Sequence, residues 1–396
     1  MAEAMTTRTR LSVLLISTPA LAFVVLGGLL GRASTGDEKL QHLRVFDDVV
    51  SLIVNNYVED VKVDRVMDGA MRGLADGLDP DSAYLDPKLV KVAEAGASAA
   101  APADVGIELT RQYYLRVIAA RDGSPAAKAG LQTGDYVRAI DGKPTRDLSV
   151  FEGMRLLRGT PGSKVTLTII RGNAAEPKQI GLVREKTPAG VLVSGKLIGA
   201  DVGYIRIGSF TGDVIAHLRD QAAALENGGA KHLVIDVRRT AEGPLEAGLD
   251  AARLFVKSGT LAVKAGRGDK AARETIAARS GDGAITLPVT LLVTTGTAGA
   301  AELFAAALDG NKRADLIGER TLGRAGVQKL VRLADGRGLW LTYARYLTPG
   351  GDAIQGKGLN PDVAIDEPEA FEIGESSPAG DPILDAAIEH VHKIAA

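Results

Sequence analysis

The hydrophobic pattern opens with an uninterrupted run. From Leu11 to Leu30 no charged residue occurs, while Arg8 and Arg10 precede the run and Arg32 follows it. Roughly twenty such residues are what a helix needs to cross the hydrocarbon core of a bilayer. A helix packed inside a soluble core would show a polar face, and this run has none. The pattern predicts an exported chain held by an N-terminal membrane segment. Ala20-Leu21-Ala22 offers a small-residue cleavage pattern, but cutting there would leave Phe23 to Leu30 as an apolar start. An uncleaved anchor is therefore the expectation.

The period then becomes helical. Val45, Val49, Leu52 and Ile53 fall three and four residues apart, and a second such pattern runs through Val66, Ala70, Met71 and Leu74. Two amphipathic helices are expected between Gly36 and Ala95. Pro80 and Pro87, with the capping acids around them, interrupt the pattern. The small residues of Ala95 to Ala103 suit a hinge. Beyond it, Gly106 to Leu109, Tyr114 to Ile118, Tyr136 to Ile140 and Thr166 to Ile169 are alternating or β-branched and read as strands. A turn at Asp141-Gly142 and a helix over Val150 to Leu157 complete this β-rich stretch. From Val202 the chain alternates strand and helix. Val202 to Ile207, His232 to Val237 and Val289 to Val293 are strands, the last two continuous apolar runs of the buried, parallel kind. His217 to Glu226, Leu249 to Phe255 and Ala300 to Leu308 read as helices, which makes this part an α/β core. The acidic stretch Glu367 to Gly380 reads as a surface connection, and Pro382 to Ile394 as a closing helix.

Composition narrows the chemistry. At 396 residues, 45% of them hydrophobic, the chain can build several cores. A formal net charge of −2, with both signs spread along the chain, leaves no electrostatic footprint for nucleic acid. The absence of cysteine excludes disulfides, thiolate metal sites and a cysteine nucleophile. His42, His217, His232, His390 and His392 show no metal-ligand spacing. Neither a metal nor a cofactor is expected.

Two stretches carry a resemblance. "GSPAAKAGLQTGDYVRAIDGKPTRDL", Gly123 to Leu148, is similar to the signature of a PDZ domain. "PVTLLVTTGTAGAAELFAAALDGNKRADLIGERTLGRAGVQKLVRLADGRGLWLTYARYLTPGGDAIQGKGLNPDV", from Pro288, resembles the core of the S41 peptidase family. "YVEDV" and "LADGLDPDSAYLDP" resemble the segment that precedes the PDZ domain in carboxyl-terminal processing proteases of that family. The resemblance covers nearly all of the chain after the anchor. It implies an α/β multidomain protein: an anchor over 1–35, N-terminal helices over 36–95, a PDZ-like β domain over 96–186, an S41 protease-like core over 187–368, and a C-terminal tail and helix over 369–396.

The resemblance also implies which residues should act. In the family a nucleophilic serine is the fourth residue of a G-S-A-S motif, a lysine base lies in a T-x-G-K segment, and a glutamine follows four residues later. The matching residues here are Gly299, Arg324 and Gln328, so serine and lysine are both replaced. The oxyanion turn D-L-R-N-N-P-G-G appears as Asp236 to Gly243, with Glu242 in place of the first glycine and Gly243 kept. Glycine carries no nucleophile, and arginine stays protonated in proteins and cannot serve as a base. Glu242 places an anion where negative charge must develop. Of substitutes, Thr297 is offset by two residues from the nucleophile position and reads as a helix-capping turn residue, while Lys329 should project elsewhere on a strand. The PDZ resemblance implies that protein C-terminal tails add as a strand to the sheet edge, with the terminal carboxylate met by backbone amides of Val105, Gly106, Ile107 and Glu108. The expectation is a proteolytically inactive tail-binding homologue outside the cytoplasmic membrane, partnered by a second copy or by an active relative. The competing expectation is an active serine endopeptidase using other groups.

Overall fold

The computed structural model describes residues 41–96, 103–172, 176–186, 193–268, 273–368 and 380–395. The anchor segment Leu11 to Leu30, most of the Ala95 to Ala103 hinge and most of the acidic connection before Gly380 lie outside them. Among the described residues no helix is long and apolar enough to cross a membrane. The chain divides into two compact units, Met1–Gly73 and Leu74–Ala396. The first contains a helix over 41–56, on which Leu43, Val45, Val49 and Leu52 are exposed, and the beginning of the helix Val63–Asp76.

The second unit holds three sheets. One is the β-rich domain expected from the sequence. Its strands run in the order Ile107–Arg111, Leu115–Ala120, Tyr136–Ile140, Lys164–Ile170 and Lys178–Val183, all antiparallel. The helix Val150–Leu157 covers it, started by a reciprocal cap in which the Ser149 side chain accepts from the Glu152 amide and the Glu152 side chain accepts from the Ser149 amide. Val105, Leu109, Leu115, Val137 and Leu167 fill the interior between them.

The second sheet is the α/β core. In order it contains Val363–Ala364, Ala314–Gly318, Val289–Val293, His232–Asp236, Val202–Ile207 and Val193–Ile198. All neighbours are parallel except the last pair. The apolar runs at His232 and Val289 are central and wholly buried, which is why they lack alternation. The helix Ala300–Gly310 is buried through Leu308, and Phe304 packs between Phe210 and Phe255. The third sheet pairs Ala83–Leu85, Gly338–Leu347, Thr260–Gly266 and Arg273–Ala277, with Gly326–Arg332 also on Gly338–Leu347.

Two local differences from the sequence reading have clear causes. Ala83–Leu85, in the interruption between Pro80 and Pro87 to which the sequence assigned no element, is a strand opposite Gly338 to Trp340. Asp79 turns the chain there by accepting from the amides of Asp81 and Ser82. Further along, the helix expected at Leu249 to Phe255 occupies Leu245–Ala252. It begins early because Pro244 breaks the chain before it, and Gly248 lets it press onto the next helix. A Cβ at Gly248 would lie 1.9 Å from the Ala300 carbonyl oxygen. Gly248→Ala is expected to destabilise the chain by about 1–3 kcal/mol, the usual cost of overpacking a tight contact. Thermal unfolding of the variant against the parent checks this.

Candidate functional site

Four of the five motif-matched residues follow the C-terminal ends of three neighbouring parallel strands, where open α/β sheets place their ligands, and the fifth, Gln328, lies on the strand Gly326–Arg332. His232–Asp236 leads into the turn carrying Glu242 and Gly243. Val289–Val293 leads into the turn carrying Gly299. Ala314–Gly318 leads into the segment carrying Arg324. Cross-links lock these turns together: the Thr297 hydroxyl donates to the Val237 carbonyl at 2.9 Å, the Ala298 amide to the Thr240 carbonyl at 3.0 Å, and the Leu322 amide to the Thr297 carbonyl at 3.1 Å.

Gly299 precedes the helix Ala300–Gly310 with φ 62° and ψ −120°, a left-handed conformation like that of a nucleophile on a sharp strand-to-helix turn. A Cβ built there meets nothing closer than the Ala241 carbonyl oxygen at 3.5 Å. The turn thus keeps both the bend and the room for a side chain that the sequence does not supply.

One residue that the sequence reading passed over organises the site. Glu302 lies in the first turn of that helix, fully buried, and its carboxylate accepts from the Thr321 hydroxyl, from the Gly323 amide at 2.6 Å and from the Arg324 amide at 2.7 Å. Burial pushes its carboxyl up, while these donors pull the other way. The available signal was a lone acid in the otherwise apolar helical stretch AAELFAAAL.

Arg324 projects into charged company. Its guanidinium lies 3.0 Å from Asp81 and 3.5 Å from Glu108. Burial works against its charge, but these two carboxylates hold its pKa above the ordinary arginine value. Glu108 is affected oppositely: burial lifts its pKa to about 7, outweighing the guanidinium beside it. Gln328 donates from Nε2 to the Thr342 hydroxyl at 3.1 Å, which in turn donates to Asp79. It is thereby joined to the strand and turn ahead of the β domain. Glu242, which the sequence placed as an anion in the oxyanion turn, has a cationic partner. Both its oxygens accept from Arg121 of the β domain, at 3.1 and 2.9 Å.

A cavity of about 730 Å³ joins these groups to the groove of the β domain. Its lining includes Gly299, Arg324, Gln328, Glu242 and Gly243 from the core side and Gly106, Ile107 and Glu108 from the groove side. Val105, the fourth predicted groove residue, is instead fully buried in the β-domain interior. Among the described residues no lysine, histidine or serine lines the cavity, and Thr211 is its only hydroxyl side chain, already paired with Ser209 at 2.7 Å. Thr297 is sealed from solvent with its hydroxyl engaged, and the helix after it is preceded by Gly299 without a side-chain cap, so the capping role expected of Thr297 is not seen. The Lys329 ammonium rests on the Tyr343 ring, 4.7 Å from its centre. Among the described residues no cluster of acids and histidines could hold a metal ion.

Comparison with known proteins gives consistent results. The model of peptidase family S41 matches residues 201–365 and that of the PDZ domain residues 116–171. The chain is 35% identical over 257 residues to the carboxyl-terminal-processing protease of Synechocystis sp., a match spanning 64% of this chain and 60% of that protein. It is 31% identical over 341 residues to the carboxy-terminal processing protease CtpA of Bacillus subtilis, spanning 85% of this chain and 71% of that one. The solved photosystem II D1 C-terminal processing protease superposes with a TM-score of 0.67 at 28% identity, over 79% of this chain and 85% of that one.

Two measurements test the electrostatics of this site. Glu302→Leu strands three donors in the interior and should cost about 2–4 kcal/mol in denaturant unfolding, with Glu302→Gln losing less. For Glu108 the folded pKa lies above the unfolded one, so the folded state binds the extra proton. Its contribution is favourable below pH 4.5 and is lost as pH rises through about 7. The stability of the parent relative to Glu108→Gln should therefore fall between pH 4.5 and about 7 and level off above. A pH-independent difference would refute that assignment.

Proposed function

The chain belongs to peptidase family S41, among the carboxyl-terminal processing proteases with a PDZ domain, and from that premise we propose that it binds protein C-terminal tails without cleaving them. The observation that carries this reading is the lining of the cavity around Gly299. An acyl transfer needs a nucleophile and a group to take its proton. At the two dyad positions stand a glycine and a guanidinium held in its charged form by Asp81 and Glu108. No serine or lysine lines the cavity among the described residues, and its one hydroxyl, Thr211, already has a partner. The residues offered as substitutes are both committed elsewhere, Thr297 to Val237 and Lys329 to Tyr343.

Tail binding is supported separately. Ile107, Met154 and Leu157 give the groove side of the cavity an apolar lining suited to an apolar final residue. The apolar run Leu11 to Leu30 supports export and anchoring. Leu43, Val45 and Leu52, exposed on the 41–56 helix, support association with a second copy or an active relative.

The purified chain, incubated with tail peptides ending in apolar residues, should bind them and release no fragment detectable by mass spectrometry. Turnover by the unmodified protein, or a covalent acyl adduct on any of its residues, would overturn the proposal. Restoring chemistry should require at least Gly299→Ser with Arg324→Lys, since the turn already leaves space for the hydroxyl.

A further inference from the structure

The loop expected to receive a tail carboxylate already holds a carboxylate of its own. Asp104 stands two residues before Gly106, and its Oδ1 accepts from the Gly106 amide at 2.8 Å and from the Arg121 guanidinium at 2.8 Å. Gly106 has φ +75°, and a Cβ there would lie 2.2 Å from the Ser124 Cβ. The amide is therefore presented by a backbone that only glycine allows. A glycine amide and a guanidinium converging on one carboxylate is the chemistry by which a protein captures a free chain terminus.

Arg121 does not end the chain of charge. Its other terminal nitrogen donates to both oxygens of Glu242, so groove amide, Asp104, Arg121 and Glu242 are joined in sequence across the boundary between the PDZ domain and the core. Arg121 is largely buried, with 10% of its side chain exposed, whereas Asp104 and Glu242 are 26% and 24% exposed. Burial opposes its charge, yet Glu242 and Asp104 hold its pKa above the ordinary value. The guanidinium is fixed, and its two anions border solvent. Either anion can be exchanged for another carboxylate at small desolvation cost, while Arg121 cannot be left unpaired.

Resting on the tail-binding reading, we infer that Asp104 fills the place of a tail's terminal carboxylate, and that an arriving tail displaces Asp104 from Gly106 and Arg121 and so loosens Arg121 from Glu242. The ligand class follows: peptides with a free α-carboxylate and an apolar last side chain, which Ile107, Met154 and Leu157 of the same cavity would receive. Amidated termini lack the charge that replaces Asp104. Glu242, at a position where the family's protease motif has glycine, acts as a brake on tail binding through its hold on Arg121.

The test uses the full-length chain and one labelled peptide ending in leucine, prepared as the free acid and as the C-terminal amide, with binding followed by fluorescence anisotropy. The parent should prefer the acid. Glu242→Gln, isosteric and uncharged, should tighten acid binding by roughly fivefold or more, the lower range of a coupling between linked sites, and leave amide binding unchanged. Arg121→Gln should bring the acid-to-amide ratio close to one. Equal acid affinity in parent and Glu242→Gln, or an acid preference that survives Arg121→Gln, overturns the inference while tail binding stands. If no variant binds either peptide, the tail-binding reading fails and this inference fails with it.

Discussion

The buried carboxylate of Glu302 is the interaction on which the site depends. It sits in the first turn of a helix that begins at a left-handed glycine, and it accepts from Thr321, Gly323 and Arg324 on a separate segment. A charge-bearing group inside a protein is tolerated only where donors surround it, and leaving those donors unmet is costly. The helix and the segment are therefore fixed to each other, and Gly299 and Arg324 are held at the same cavity. The turn at Gly299 and the segment at Arg324 are thereby fixed relative to each other. The same contacts satisfy buried polar groups.

Charge pairs dominate this cavity. Arg324 binds Asp81 and Glu108, and Glu242 binds Arg121, which also binds Asp104. Three of these partners, Glu108, Arg121 and Asp104, belong to the PDZ domain. Arg324 and Glu242 are thus points at which the PDZ domain is tied to the core, together with the Arg206 and Asp122 pair nearby. Partly buried pairs of this kind contribute little net stability, because desolvation offsets attraction, but losing one partner is expensive. They favour one arrangement of the domains over others, which is the role expected of a binding protein whose two parts share a ligand cavity.

What the sequence determined by itself was local and repetitive. Apolar continuity at His232 and Val289 announced central parallel strands because residues covered on both faces show no alternation. The helix over Val150 to Leu157 lies where the sequence placed it, and the Ser149–Glu152 cap that starts it is seen in the fold. The motif positions Gly299, Arg324, Gln328, Glu242 and Gly243 could be numbered in advance, since a motif is read along the chain, and all five line one cavity.

Tertiary structure decided which charges met. No spacing connects Glu242 with Arg121, or Arg324 with Asp81 and Glu108, because these partners lie far apart in sequence and are joined only by tertiary packing, Arg121 and Glu108 from the PDZ domain and Asp81 from the turn before Ala83–Leu85. For the same reason the short strand Ala83–Leu85 went unread in the interruption between the two prolines, its pairing partner being Gly338 to Trp340. The Val105 side chain, whose backbone was expected in the carboxylate loop, fills the β-domain interior, as only the fold could show. Periodicity reports which side of an element is covered, and only the folded chain determines what covers it.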